Sequence, residues 1–82
     1  MDPRQRAKQL LLDAIRTGAR TVNVSPIQER LQADFPYMRP AVARQHAIKA
    51  AQDFAEVGIG TFIKGRNLNG RRDFDSRLEN IL

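Results

Sequence analysis

The sequence predicts a small α+β domain, mainly helical, in which three helices precede a C-terminal β-hairpin. Two observations predict it. Apolar residues recur at helical spacing in three segments, each opened by a proline (Pro3, Pro26, Pro40) and closed by a glycine or proline (Gly18, Pro36, Gly58). After the third segment β-forming residues take over, divided by a glycine-bearing turn. The chain has 82 residues and no evident linker, repeat or low-complexity stretch, so residues 1–82 read as one domain.

The first helix is expected over residues 3–17. Asp2 is a good N-cap, Pro3 suits the first helical position, and Gln5 completes a capping-box pattern. Ala7, Leu10, Leu11, Ala14 and Ile15 give it one apolar face, and Gly18 stops it. Val22 and Val24 alternate with polar neighbours, which predicts a short strand over residues 20–24. Ser25, Pro26 and Gln28 then repeat the start signal, so the second helix is expected over residues 26–35, with Ser25 as its cap. Ile27, Leu31 and Phe35 face inward, and Pro36 ends it.

A turn over residues 35–39 leads to the third helix, expected over residues 40–57. Ala43, Ala47, Ala50, Phe54 and Val57 form its inner stripe, joined by Ala51, and the small alanines allow a neighbouring helix to come close. Gln45, Lys49, Gln52 and Glu56 lie roughly opposite, with Ala41, Arg44 and Ile48 on a flank. The hairpin is expected over residues 59–80. Thr61, Phe62 and Ile63 favour a strand, Asn67-Leu68-Asn69-Gly70 favours a turn, and Phe74 and Leu78 fall on one face of the returning strand.

Composition narrows the function. The apolar fraction of 41% supports a modest core, and no run of 18 apolar residues is present to span a bilayer. The N-terminus lacks the apolar segment of a signal peptide, and cysteine is absent, which excludes disulfides and thiolate metal sites. A cytoplasmic protein is the expectation, nucleoid-associated if the source is bacterial. Enzyme chemistry finds no foothold. Ser25 reads as a cap, Ser76 as a strand residue, and His46 is the sole histidine. The glycines at 58, 60 and 65 stand in strand context rather than before a helix, unlike a phosphate-cradling loop. No catalytic residue, cofactor or metal site is expected. Arg4, Arg6 and Lys8 read as a solvated helix face, and Arg77 as a partner for Glu79 or Asp75.

The net charge of +5 favours an acidic partner. Its distribution says more. Between Asp34 and Asp53 the only charged or titratable side chains besides Tyr37 are Arg39, Arg44, His46 and Lys49. Between Glu56 and Asp73 they are Lys64, Arg66, Arg71 and Arg72. An acid-free helix followed by an acid-free hairpin suits a polyphosphate, which rewards clustered cations and is repelled by interleaved carboxylates.

The last third carries a more specific signal. The segment Glu56-Val57-Gly58-Ile59-Gly60-Thr61-Phe62-Ile63-Lys64-Gly65-Arg66, then Gly70, then Ser76-Arg77-Leu78-Glu79-Asn80, resembles the wing of the winged helix-turn-helix DNA-binding family. The order of elements extends the resemblance over nearly the whole chain. The resemblance implies a three-helix winged helix-turn-helix with a β-hairpin wing, and double-stranded DNA as partner. It places the third helix in the major groove and the basic wing on the backbone or minor groove. Arg39, Arg44, Gln45 and Lys49 become helix contacts; Arg and Gln suit guanine and adenine edges, and Lys49 suits phosphate. Lys64, Arg66, Arg71 and Arg72 become wing contacts. Tyr37 either donates its hydroxyl to a phosphate or packs against Pro36 and Met38. A transcriptional regulator or a mobile-element accessory protein is the expected role, with Leu12, Ile48, Ile81 and Leu82 as candidates for a homodimer contact. The alternative is a winged-helix protein-interaction module, part of a larger assembly and without DNA binding.

Overall fold

A computed structural model describes residues 2–68, 71–74 and 76–82, with side chains described for residues 2–65 and 76–82. Among the described residues the architecture is α+β and mainly helical: α1 (Pro3–Arg16), β1 (Val22–Asn23), α2 (Val24–Asp34), α3 (Pro40–Glu56), β2 (Thr61–Ile63), β3 (Arg66–Leu68), β4 (Arg71–Phe74) and β5 (Arg77–Glu79). The layout is compatible with a winged-helix arrangement. No helix among the described residues is long and apolar enough to cross a membrane.

Helix α1 begins as its sequence dictates. The Asp2 carboxylate accepts the Arg4 backbone N–H at 2.8 Å, satisfying one of the donors a helix start leaves open. Helix α3 ends on a paired return of the chain: Gly58 N–H donates to Ala55 and Ile59 N–H to the Phe54 carbonyl. That motif needs a left-handed residue, and Gly58 supplies it at φ 87°. Val57 was expected on the inner stripe, but it is the C-cap residue and is 73% exposed, because the chain turns out of the helix there and no apolar side chain covers it.

Helix α2 departs from expectation at its start. It opens at Val24, and Asn23 occupies the cap position without a side-chain cap bond, so Ser25 lies inside the first turn rather than capping it. The cause is tertiary. β1 pairs antiparallel with β5, Val22 opposite Leu78 and Asn23 opposite Arg77. The ladder then continues one residue further, with Val24 N–H donating to the Ser76 carbonyl at 2.8 Å. A first-turn donor that would otherwise require a capping side chain is satisfied by the neighbouring strand. Pro26 has no N–H to satisfy, so it is tolerated in the same turn.

The expected single hairpin is two ladders. β2 and β5 pair antiparallel, Phe62 opposite Leu78, and join β1 in a three-stranded sheet of order β1-β5-β2. β3 and β4 form a separate two-stranded ladder whose register shifts between Arg66 and Asn67. The turn expected over Asn67-Leu68-Asn69-Gly70 is corrected at its start, because Asn67 and Leu68 pair with β4 as part of β3. Asn69, Gly70 and Asp75, with the side chains of Asp73 and Phe74, lie outside the described residues.

The core lies where the three helices meet one face of the sheet. Ala7 and Leu11 of α1, Ile27 and Leu31 of α2, and Ala43, Ala47, Ala50 and Ala51 of α3 are buried together with Val22, Val24, Leu78 and Ile81. Four alanines on α3 let α1 and α2 pack close to its backbone, so this helix is seated by shape rather than by large side chains. Ile81 is 3% exposed, and its N–H donates to the Arg20 carbonyl, which removes it from the candidate dimer contacts. Leu12 and Leu82 remain exposed.

Candidate nucleic-acid interface

With its alanine stripe buried, α3 presents two flanks. On one, α1 lies alongside. Lys8 Nζ reaches Asp53 Oδ2 at 3.3 Å and Arg4 Nη1 reaches it at 3.7 Å. Nearby, Arg6 Nε donates to Asp34 Oδ2 at the end of α2, at 2.6 Å. The basic start of α1 is therefore not simply a solvated face: it neutralises the two carboxylates that bracket the acid-free stretch. Such partly exposed pairs contribute about 0–1 kcal/mol each, so their main effect is on local potential rather than stability.

The other flank faces the sheet, and between them lies a cleft of about 380 Å³. Arg44, Gln45, Ile48 and Gln52 of α3 form one wall. Phe62 of β2, followed by Lys64 and Gly65, forms the other, with Ser76 at the end. Ile48 and Phe62 are half-buried against the core and make the floor apolar. Gln45, Gln52 and Lys64 are exposed at the rim. No lining residue is acidic.

Two details fix this geometry. Arg44 is half-buried, and its Nη1 donates to Gln28 Oε1 of α2 at 3.5 Å, so the guanidinium is tied to the helix behind it. Gln28, read from sequence as a capping residue, instead links α2 to α3, and its amide also donates to Gln32 at 3.4 Å. Ser76 is 4% exposed and its Oγ accepts the Gly65 N–H at 2.8 Å. One residue thus stitches the far wall with its side chain and the start of α2 with its carbonyl.

The structure brings together Arg44, Gln45 and Lys64 from the sequence-derived site. Lys49 is exposed on α3 but does not line the cleft, and Arg39 is exposed at the α3 N-cap. Tyr37 is fully exposed, so its side chain is not buried by the turn; with Phe35, Pro36 and Met38 it lines an apolar hollow of about 410 Å³. Arg66, Arg71 and Arg72 lie on β3 and β4, and their side chains are outside those described. The sequence reading missed Ile48, Gln52, Phe62 and Ser76 as site residues. The spacing of Gln45, Ile48 and Gln52, at i, i+3 and i+7, was a signal for one shared helix face. Nothing local marked Ser76.

His46 is half-buried, with Nδ1 lacking a hydrogen-bond partner among the described residues. No cluster of three or more metal-ligating side chains occurs among the described residues. Arg77 pairs with Glu79 at 2.7 Å, one of the two partners expected for it. Comparison with protein-family models, with curated proteins and with solved structures found no match for this chain.

Proposed function

We propose that the chain is a winged helix-turn-helix module that binds double-stranded DNA, in the role of a transcriptional regulator or mobile-element accessory protein. The observation that carries the reading is the acid-free cleft between α3 and the sheet, lined by Arg44, Gln45 and Lys64. Two acids that would oppose a phosphate backbone, Asp34 at the end of α2 and Asp53 on the other flank of α3, are engaged by α1. In this reading α3 enters the major groove. Gln45 addresses an adenine edge, while Arg39 and Lys49 hold phosphates at either end of the exposed face. The ribbon of β3 and β4 carries Arg66, Arg71 and Arg72 toward the backbone or minor groove. One module of this size buries limited surface, so a second copy is expected on a full site.

The test is fluorescence anisotropy of a labelled random-sequence duplex across a salt series. Micromolar binding that weakens steeply between about 50 and 200 mM salt supports the reading, since each phosphate neutralised contributes about 0.9 to the logarithmic slope. Absence of binding at the lowest salt overturns it. A second reading, a protein-docking winged helix, rests on the apolar hollow beside the fully exposed Tyr37. Failure of the DNA test with capture of a partner that Tyr37→Ala abolishes would favour it.

A further inference from the structure

The cleft has an apolar floor, which a purely phosphate-gripping surface would not need. Ile48 and Phe62 sit there, half-buried, beneath the exposed amides of Gln45 and Gln52. Closing polar base edges over such a floor would strip them of water and return nothing. The major groove offers one apolar group among its base edges, the C5 methyl of thymine. The amides complement it, because a glutamine pairs through both its donor and its acceptor with adenine N6 and N7. Arg44, the side chain best suited to guanine, lines the same cleft but is partly engaged by α2, its Nη1 donating to Gln28 Oε1 at 3.5 Å. Gln45 and Ile48, three residues apart, share one face of α3, so in this reading the two side chains address neighbouring base edges.

We infer that the cleft reads A·T pairs, seating the thymine methyl on Ile48 and Phe62 while Gln45 pairs with the adjacent adenine. The inference rests on the double-stranded DNA reading above and adds its sequence preference. Gln52, two turns beyond Gln45, extends the same preference along the groove. Lys64 at the opposite rim neutralises the flanking phosphate and carries no sequence information.

Competition anisotropy with two duplexes of one A·T-rich sequence tests it, the first with thymine and the second with deoxyuridine throughout. The two differ only by the methyl. The thymine duplex is expected to bind about fourfold more tightly for each methyl seated, the ratio that corresponds to burying one methylene-sized group. In Ile48→Ala that ratio falls toward one. Ile48→Val, a smaller trim that keeps the β-branch and the fold, lowers it partway. Equal affinity for both duplexes in the unaltered protein, with salt-dependent binding intact, overturns the thymine inference and leaves the DNA reading standing. A ratio that survives unchanged in Ile48→Ala also overturns it, since the methyl is then felt elsewhere. No binding to either duplex at low salt overturns both.

Discussion

On the flank of α3 that meets α1, Asp53 forms ion pairs with both Lys8 and Arg4; on the flank that faces the sheet, Arg44, Gln45 and Lys64 border a cleft with no carboxylate in its lining. The two flanks belong to one helix, and only the one facing α1 carries a carboxylate. What also separates them is the neighbour. α1 brings cations to the acid it covers, whereas the sheet brings Phe62, Lys64 and Gly65, with Lys64 exposed at the rim. Local charge is thus a property of packing as much as of sequence. The chain's excess of positive charge is concentrated by cancelling it on the flank that does not need it.

Both flanks rest on one apolar core, so the largest effect is expected from a change in the core beneath the cleft. Leu78 is fully buried at the centre of the β1-β5-β2 sheet, opposite both Val22 and Phe62. Leu78→Ala is expected to cost about 2–5 kcal/mol of unfolding free energy in urea titration. A loss under about 1 kcal/mol would mean that the sheet is not what holds the far wall. Gly60 offers a narrower probe of that wall. Its φ is 78°, and a Cβ there would lie 2.8 Å from the Glu79 carbonyl oxygen. Gly60→Ala is expected to cost about 1–3 kcal/mol, by strain plus displacement of β5. Thermal and urea melts that match the parent would refute the close approach of β2 to β5.

These elements also mark how far the sequence could be read. The start of α1 and the inward alanines of α3 were legible, because capping and helical periodicity are local signals. The start of α2 was not. Ser25-Pro26 has the local signature of a cap, yet the helix opens at Val24, since the first donor is satisfied by Ser76, 52 residues along the chain. The division of the hairpin was equally hidden, because the bond seen at the break joins Gly65 to Ser76, 11 residues along the chain. For the site, the acid-free stretches pointed to α3 and to Lys64. They did not distinguish Gln45, which lines the cleft, from Lys49, which does not, because that depends on where the sheet docks. Nor did they reveal that Arg4, Arg6 and Lys8 serve as counterions, since each pair joins residues far apart in sequence.

An intermediate effect is expected from removing one cation at a time. Lys64→Ala should lower the logarithmic salt slope of duplex binding by about 0.9, the share of one phosphate contact. Lys8→Ala should leave the slope unchanged, since its ammonium is already engaged by Asp53 on the other flank. Anisotropy titrations of both variants across one salt series make the contrast direct. Equal losses for the two would erase the distinction between the flanks and reduce binding to net charge alone.

The smallest effect sharpens the same distinction from the side of stability. Asp53→Asn keeps the size and shape of the side chain but removes the charge that Arg4 and Lys8 share. The groups are about a third exposed, so water already screens them. A loss of less than about 1 kcal/mol is expected at low salt, and it should vanish in about 1 M salt, where the screening length shrinks to ~3 Å. Alanine packing, unaffected by salt, then continues to seat α3 against α1. A loss of several kcal/mol that persisted in high salt would instead make the ion cluster a structural anchor. The charge on that flank would then be a requirement of the fold, and its separation from the cleft would say nothing about a partner.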